Sequence, residues 1–121
     1  MDFRNFQKRG LARLTRHKPG EMNNSEKAYA GTLEGRILTG EIICYWFEEW
    51  TFKLAVDCRL TPDFMVMLPT GELQVHDVKG FMTDDALVKL KVMAEKFPFD
   101  VFTAKKLAQK DGGGWEIKQI K

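Results

Sequence analysis

The sequence predicts one mixed α/β domain, a central sheet flanked by helices. Segments of alternating or continuous apolar character interleave with segments of helical spacing along 121 residues, a length that suits one domain. Hydrophobic residues make up 44% of the chain and aromatics 12%, enough for a packed core. Capping residues open two helical segments, and a Pro/Gly turn joins two apolar strands.

Residues 1–22 read as a basic N-terminal arm and 23–121 as the domain. The arm holds Arg4, Lys8, Arg9, Arg13, Arg16 and Lys18 against Asp2 and Glu21, while the whole chain carries only +2. Such an arm suits either an anionic polymer, with Arg9, Arg13 and Arg16 as phosphate contacts, or plain solvation. Phe3, Phe6, Leu11 and Leu14 recur at roughly helical spacing, which Gly10 weakens. Pro19-Gly20 separates the arm from the domain.

The first domain helix is expected over 24–39, capped by Asn23 and ended by Gly40, with Ala30, Leu33 and Ile37 as its apolar stripe. Strands follow over 42–48 and 51–57, the second alternating Phe52, Leu54 and Val56. Residues 61–68 and 72–80 form a hairpin around Pro69-Thr70-Gly71. Thr83 caps a helix over 84–97, where Asp84 and Asp85 suit the N-terminal dipole and Leu90, Met93, Ala94 and Phe97 face the core. A strand over 99–104, a polar loop over 105–114 and an edge strand over 115–120 complete the order α-β-β-β-β-α-β-β.

Several classes of function are disfavoured. There is no run of 18 apolar residues, so no membrane span is expected, and the opening Met1-Asp2-Phe3-Arg4 does not lead into a secretory signal. Cys44 and Cys58 lack zinc-site spacing and read as reduced thiols of a cytoplasmic protein. Gly112–Gly114 lacks the lysine and helix of a phosphate loop. His76 alternates away from Asp77 and is expected beside Phe64, not as a general base. His17 lies in the arm. Trp46, Trp50 and Trp115 read mainly as core.

The chemistry concentrates in the hairpin. With a three-residue loop at 69–71, counting outward sets Met67 opposite Leu73, Met65 opposite Val75 and Asp63 opposite Asp77. Lys79 shares the face of Asp77. Two opposed carboxylates destabilise a sheet unless something compensates, and a divalent cation with oxygen ligands does so directly. A bulge would separate the pair and leave an ordinary surface cluster.

Glu26 precedes Ala30 by four residues and Leu33 by seven, so it sits on the core-facing stripe of the first helix. It is the favoured third carboxylate, ahead of Glu34. The same spacing, Asn23-x-x-Glu26, is also a capping box that turns Glu26 back onto the backbone. Lys89 and Lys96 share one face of the later helix and suit phosphate contacts or solvation.

Together these residues resemble the PD-(D/E)xK nuclease superfamily: Glu on the first helix, Thr61-Pro62-Asp63-Phe64, then Asp77-Val78-Lys79-Gly80, then the acidic cap Asp84-Asp85. The pattern is most similar to phage-type endonuclease I, the Holliday-junction resolvases, over about Asn23 to Thr103. Phe47-Glu48-Glu49-Trp50 resembles the strand before that family's catalytic Asp. The resemblance implies a restriction-endonuclease-like core and a Mg²⁺- or Mn²⁺-dependent endonuclease. Glu26, Asp63 and Asp77 would hold the metal, and Lys79 would be the catalytic lysine. It also implies DNA, branched DNA in particular, as substrate, a homodimer, and a phage or prophage protein acting in the bacterial cytoplasm. Two features depart from the family pattern: the acid before Lys79 is Asp rather than Glu, and the chain ends in a glycine turn and strand rather than a longer tail. A non-catalytic nucleic-acid-binding module on the same fold is the alternative, and a structural phage protein the third reading.

Overall fold

The computed structural model describes residues 21–80 and 82–121. Residues 1–20 of the basic arm, with Arg9, Arg13 and Arg16, therefore lie outside the described residues. Helix α1 spans Asn24–Thr39. It starts where Asn23 accepts from the Glu26 N–H and stops where Gly40 turns left-handed at φ 83°, a conformation that glycine adopts without strain. Strand β1 is Cys44–Phe47, β2 Phe52–Ala55, β3 Cys58–Leu60, β4 Phe64–Met67 and β5 Leu73–Val78. Helix α2 spans Asp84–Lys96, capped by Thr83, and leads to β6 at Asp100–Lys106 and β7 at Trp115–Ile120.

Five strands form one mixed sheet in the order β1-β4-β5-β6-β7. All neighbours are antiparallel except β5 and β6. That parallel pair follows from α2, which carries the chain back to its starting edge as parallel pairing requires. The two faces are covered differently. Tyr29, Ala30 and Leu33 of α1 pack on Tyr45, Phe47, Phe64, Val66 and Val78. On the other face Leu90 and Met93 of α2 pack with Cys44, Trp46, Met65, Val75 and Val101. Phe64 lies at the centre of the first cluster, with the rings of Tyr29, Tyr45 and Phe47 at 5.5, 5.9 and 5.3 Å. Burying one such ring contributes roughly 1.5–3 kcal/mol. Cover on both faces explains why all four residues of β1 are buried.

Two expectations need correction. The strand expected over 51–57 is shorter, Phe52–Ala55, and an unexpected strand, Cys58–Leu60, pairs with it. These two form a separate ribbon rather than part of the central sheet. The chain reverses at Asp57, φ 55°, so Val56 falls at the turn and is 80% exposed rather than in the core. The ribbon packs on the α2 side through Phe52, whose ring meets Phe97 at 5.2 Å and Phe99 at 5.6 Å. The polar loop contains a short 3₁₀ turn, Gln109–Asp111, and reverses through three left-handed glycines, Gly112–Gly114, into the edge strand β7. No helix among the described residues is long and apolar enough to cross a membrane.

Candidate active site

The hairpin register is the one counted from the sequence: Phe64 pairs with His76, Met65 with Val75 and Met67 with Leu73. One step further, Asp63 and Asp77 interlock. The Asp63 N–H donates to Asp77 Oδ1 at 3.2 Å, and the Val78 N–H donates to Asp63 Oδ2 at 2.9 Å. Asp77 is buried and Asp63 half-buried. Lys79 Nζ reaches Asp77 Oδ2 at 3.0 Å. Two opposed carboxyls and one ammonium thus meet at the end of the hairpin.

The same row continues onto β1. Phe47 pairs with Phe64, and the Glu48 N–H donates to the Asp63 carbonyl at 2.9 Å, so Glu48 stands beside Asp63. Carboxylate oxygens of Glu26, Glu48 and Asp63 lie within 4.8 Å of one another. Glu48 was given no role from sequence. The signal that finds it is the register of β1 on β4, carried one pair past Phe47. Its backbone has φ 46°, unusual for a non-glycine residue, where the chain leaves the sheet.

Glu26 serves two purposes that the sequence set as alternatives. Its Oε1 accepts from the Asn23 N–H at 2.9 Å, while the Glu26 N–H donates to Asn23 Oδ1 at 2.8 Å, a complete capping box. The capped carboxylate still belongs to the group with Glu48 and Asp63. Glu34 is exposed on the same helix, and its charge acts on Tyr45 instead.

The electrostatics follow from this crowding. Burial, then the charge of Asp77, pushes the Asp63 carboxyl up to about 8, against a lowering by the Val78 N–H. Burial alone lowers the Lys79 ammonium, but Asp77, Asp63 and Glu26 outweigh it and raise Lys79 overall. Without a cation the crowding is relieved by a proton, which Asp63 keeps up to about 8, and a divalent cation would take that proton's place.

A cleft of about 310 Å³ opens over the site, lined by Asp63, Asp77, Lys79, Thr83, Asp85 and Lys89 among others. Lys96 lies elsewhere: its ammonium donates to the Lys53 and Leu54 carbonyls, both at 3.2 Å, and ties α2 to the ribbon. His76, buried beside Phe64 as expected, faces away from Asp77 and bonds the Tyr29 hydroxyl through Nδ1. Trp46 and Trp115 pack in the two cores, and both cysteines are free thiols.

The donor set suits a hard divalent cation. It offers carboxylate oxygens and no sulfur or imidazole. Magnesium bonds of about 2.1 Å in octahedral geometry set ligand oxygens roughly 3–4 Å apart. The 4.8 Å span of Glu26, Glu48 and Asp63 needs only slight inward adjustment.

In comparisons with known proteins, no family model matches the chain, and no curated protein or solved structure matches it.

Proposed function

We propose that this protein is a metal-dependent endonuclease that hydrolyses DNA phosphodiester bonds, on a restriction-endonuclease-like core. One observation carries the reading: Asp63 and Asp77 interlock across the hairpin with Lys79 at 3.0 Å, while Glu26 and Glu48 approach Asp63. Opposed carboxylates cost stability, and no core packing requires them there.

Asp63, Glu26 and Glu48 are the residues that would hold Mg²⁺ or Mn²⁺, with Asp77 completing the acidic set. Such an ion supplies positive charge at the phosphate and lowers the pKa of a water. Hydrolysis adds water to phosphorus, breaks one P–O ester bond and leaves an alcohol and a phosphate monoester. Lys79 is placed to donate to the phosphate oxygens as their charge grows. Asp77 holds its ammonium at 3.0 Å. The capping bond fixes Glu26 to the helix start, which limits its rotamers.

Selectivity in this reading follows DNA shape. Lys89 at the cleft is suited to phosphate, which positions DNA without reading its sequence. The test compares Mg²⁺- and Mn²⁺-dependent cleavage of a four-way junction, a matched linear duplex and single-stranded DNA. Metal-dependent cutting with the junction fastest is the expected result. No cutting of any of the three in either metal refutes the reading.

A further inference from the structure

A second groove adjoins the cleft, with a volume of about 350 Å³, and Lys79 lines both. The strand registers build it. Asp77 of β5 pairs with Thr103 of β6, and Thr103 with Lys118 of β7. The next row on that face holds Lys79, whose N–H donates to the Ala104 carbonyl at 2.9 Å, then Lys105, paired with Glu116. Paired residues point to the same side, so Lys79, Lys105 and Lys118 share one face across three strands. The floor between them is apolar, with Met82, Leu87 and Ile120.

We propose that this groove holds a single strand of nucleic acid leaving the cleft, its phosphates on Lys105 and Lys118 and a base on Met82, Leu87 and Ile120. Three observations favour that occupant. The lysines continue away from Lys79, so the cationic path begins where the reacting phosphate would sit. A groove of about 350 Å³ is of the size that takes one small ligand or roughly one nucleotide. Cations beside an apolar floor match a strand with its bases unstacked, since a base presents an apolar face beside its phosphate. The acid in the groove, Glu116, holds Lys118 only loosely, at 3.8 Å with the lysine side chain 72% exposed. A phosphate displaces such a pair at little cost.

The direction of the strand rests on the nuclease reading, but its binding does not. The test measures fluorescence anisotropy of a fluorescein-labelled 12-nucleotide oligo(dT) and of a matched 12-base-pair duplex on the full chain. EDTA is present, so no cleavage occurs. The wild type should bind the single strand more tightly than the duplex. The double variant Lys105→Ala/Lys118→Ala should lose about ten-fold in affinity at low salt, and its salt slope should fall by roughly 1.4, two contacts at 0.7 each. Glu116→Gln should tighten binding. Circular dichroism of each variant checks the fold. An unchanged affinity and slope in the double variant overturns the proposal, as does tighter binding of the duplex. Single-strand binding without cleavage of any of the three substrates in Mg²⁺ or Mn²⁺ would sustain this proposal while refuting the nuclease reading.

Discussion

His76 and Asp77 are neighbours in sequence, both buried, and point to opposite faces of the sheet. On the α1 face, His76 is fully accommodated. Gln74 Oε1 only accepts, so His76 Nε2 carries the proton of that 3.0 Å bond, and Nδ1 accepts from Tyr29. Burial, then the charge of Arg36, lowers His76 to about 4, so the pair stays neutral. On the α2 face, Asp77 meets another carboxyl and holds Lys79, which Asp63 influences only through its charge. One face buries a polar group by satisfying it, and the other crowds carboxyls so closely that Asp63 keeps a proton up to about 8. A closed pair of the first kind is what stability favours. The second kind persists at a cost, which is why function is assigned there.

The largest expected effect breaks the charged side. Asp63→Ala or Asp77→Ala should reduce metal-dependent cleavage below detection, and Lys79→Ala should lower the rate about 10²–10³-fold, the effect of removing one donor to a developing oxyanion. All three should keep a cooperative thermal transition, because the α1 core is untouched. Wild-type rates in any of them would return this cluster to ordinary surface chemistry. Glu48→Ala should raise the Mg²⁺ concentration needed for half-maximal cleavage, and an unchanged metal requirement would remove Glu48 from the set.

The two faces should also respond to pH with opposite sign. The unfolded chain protonates His76 near 6.5, whereas the folded protein keeps it neutral to about 4. The unfolded state binds the extra proton between those values, so this contribution is complete above pH 6.5 and lost as pH falls toward 4. The loss is on the order of 3 kcal/mol. Asp63 works the other way. It releases its proton near 3.8 unfolded and near about 8 folded, so its contribution is complete below 3.8 and lost as pH rises to about 8. In EDTA, the wild-type melting temperature should fall between pH 6.5 and 8, and Asp63→Asn should remove that fall. Adding Mg²⁺ should also oppose it, since a cation favours the ionised carboxylate. A wild-type melting temperature that is flat across that window, without metal, would break the contrast between the faces.

Much of the charged side is legible in the sequence because it is local. A three-residue turn and one apolar face fix the hairpin register, and that alone sets Asp63 against Asp77. The helix caps are equally local, and α1 begins and ends where Asn23 and Gly40 place it. Glu48 is not legible in that way. Its position depends on β1 pairing with β4, two strands that the β2–β3 ribbon separates in sequence. The ribbon itself escapes notice because Cys58–Leu60 is too short for periodicity to register. The closed side is half legible: alternation puts His76 next to Phe64, but its partner Tyr29 lies 47 residues earlier.

Tyr29→Phe tests that closed side with a smaller effect. It removes the hydroxyl and leaves His76 Nδ1 buried without its partner, at a cost of roughly 1–3 kcal/mol. Cleavage should be unchanged, since neither residue faces the cleft. Denaturant unfolding measures the first and the junction assay the second. A large loss of activity with little loss of stability would mean that the two faces are coupled through β5.

The smallest expected effect separates two lysines that the sequence places on one helix face. Lys89 lines the cleft with Asp63 and Asp77, whereas Lys96 donates to the Lys53 and Leu54 carbonyls and sits 5.8 Å from the Phe97 ring centre. Lys96→Ala should therefore cost about 0.5–1.5 kcal/mol of stability, with no change in DNA affinity. Lys89→Ala should do the reverse, leaving stability within about 0.5 kcal/mol and weakening DNA binding with a reduced salt slope. Chemical denaturation and anisotropy on both variants give the two-by-two comparison. Equal losses of affinity in the two would show that the whole helix face meets DNA, because Lys96 could reach a phosphate only by giving up the ribbon.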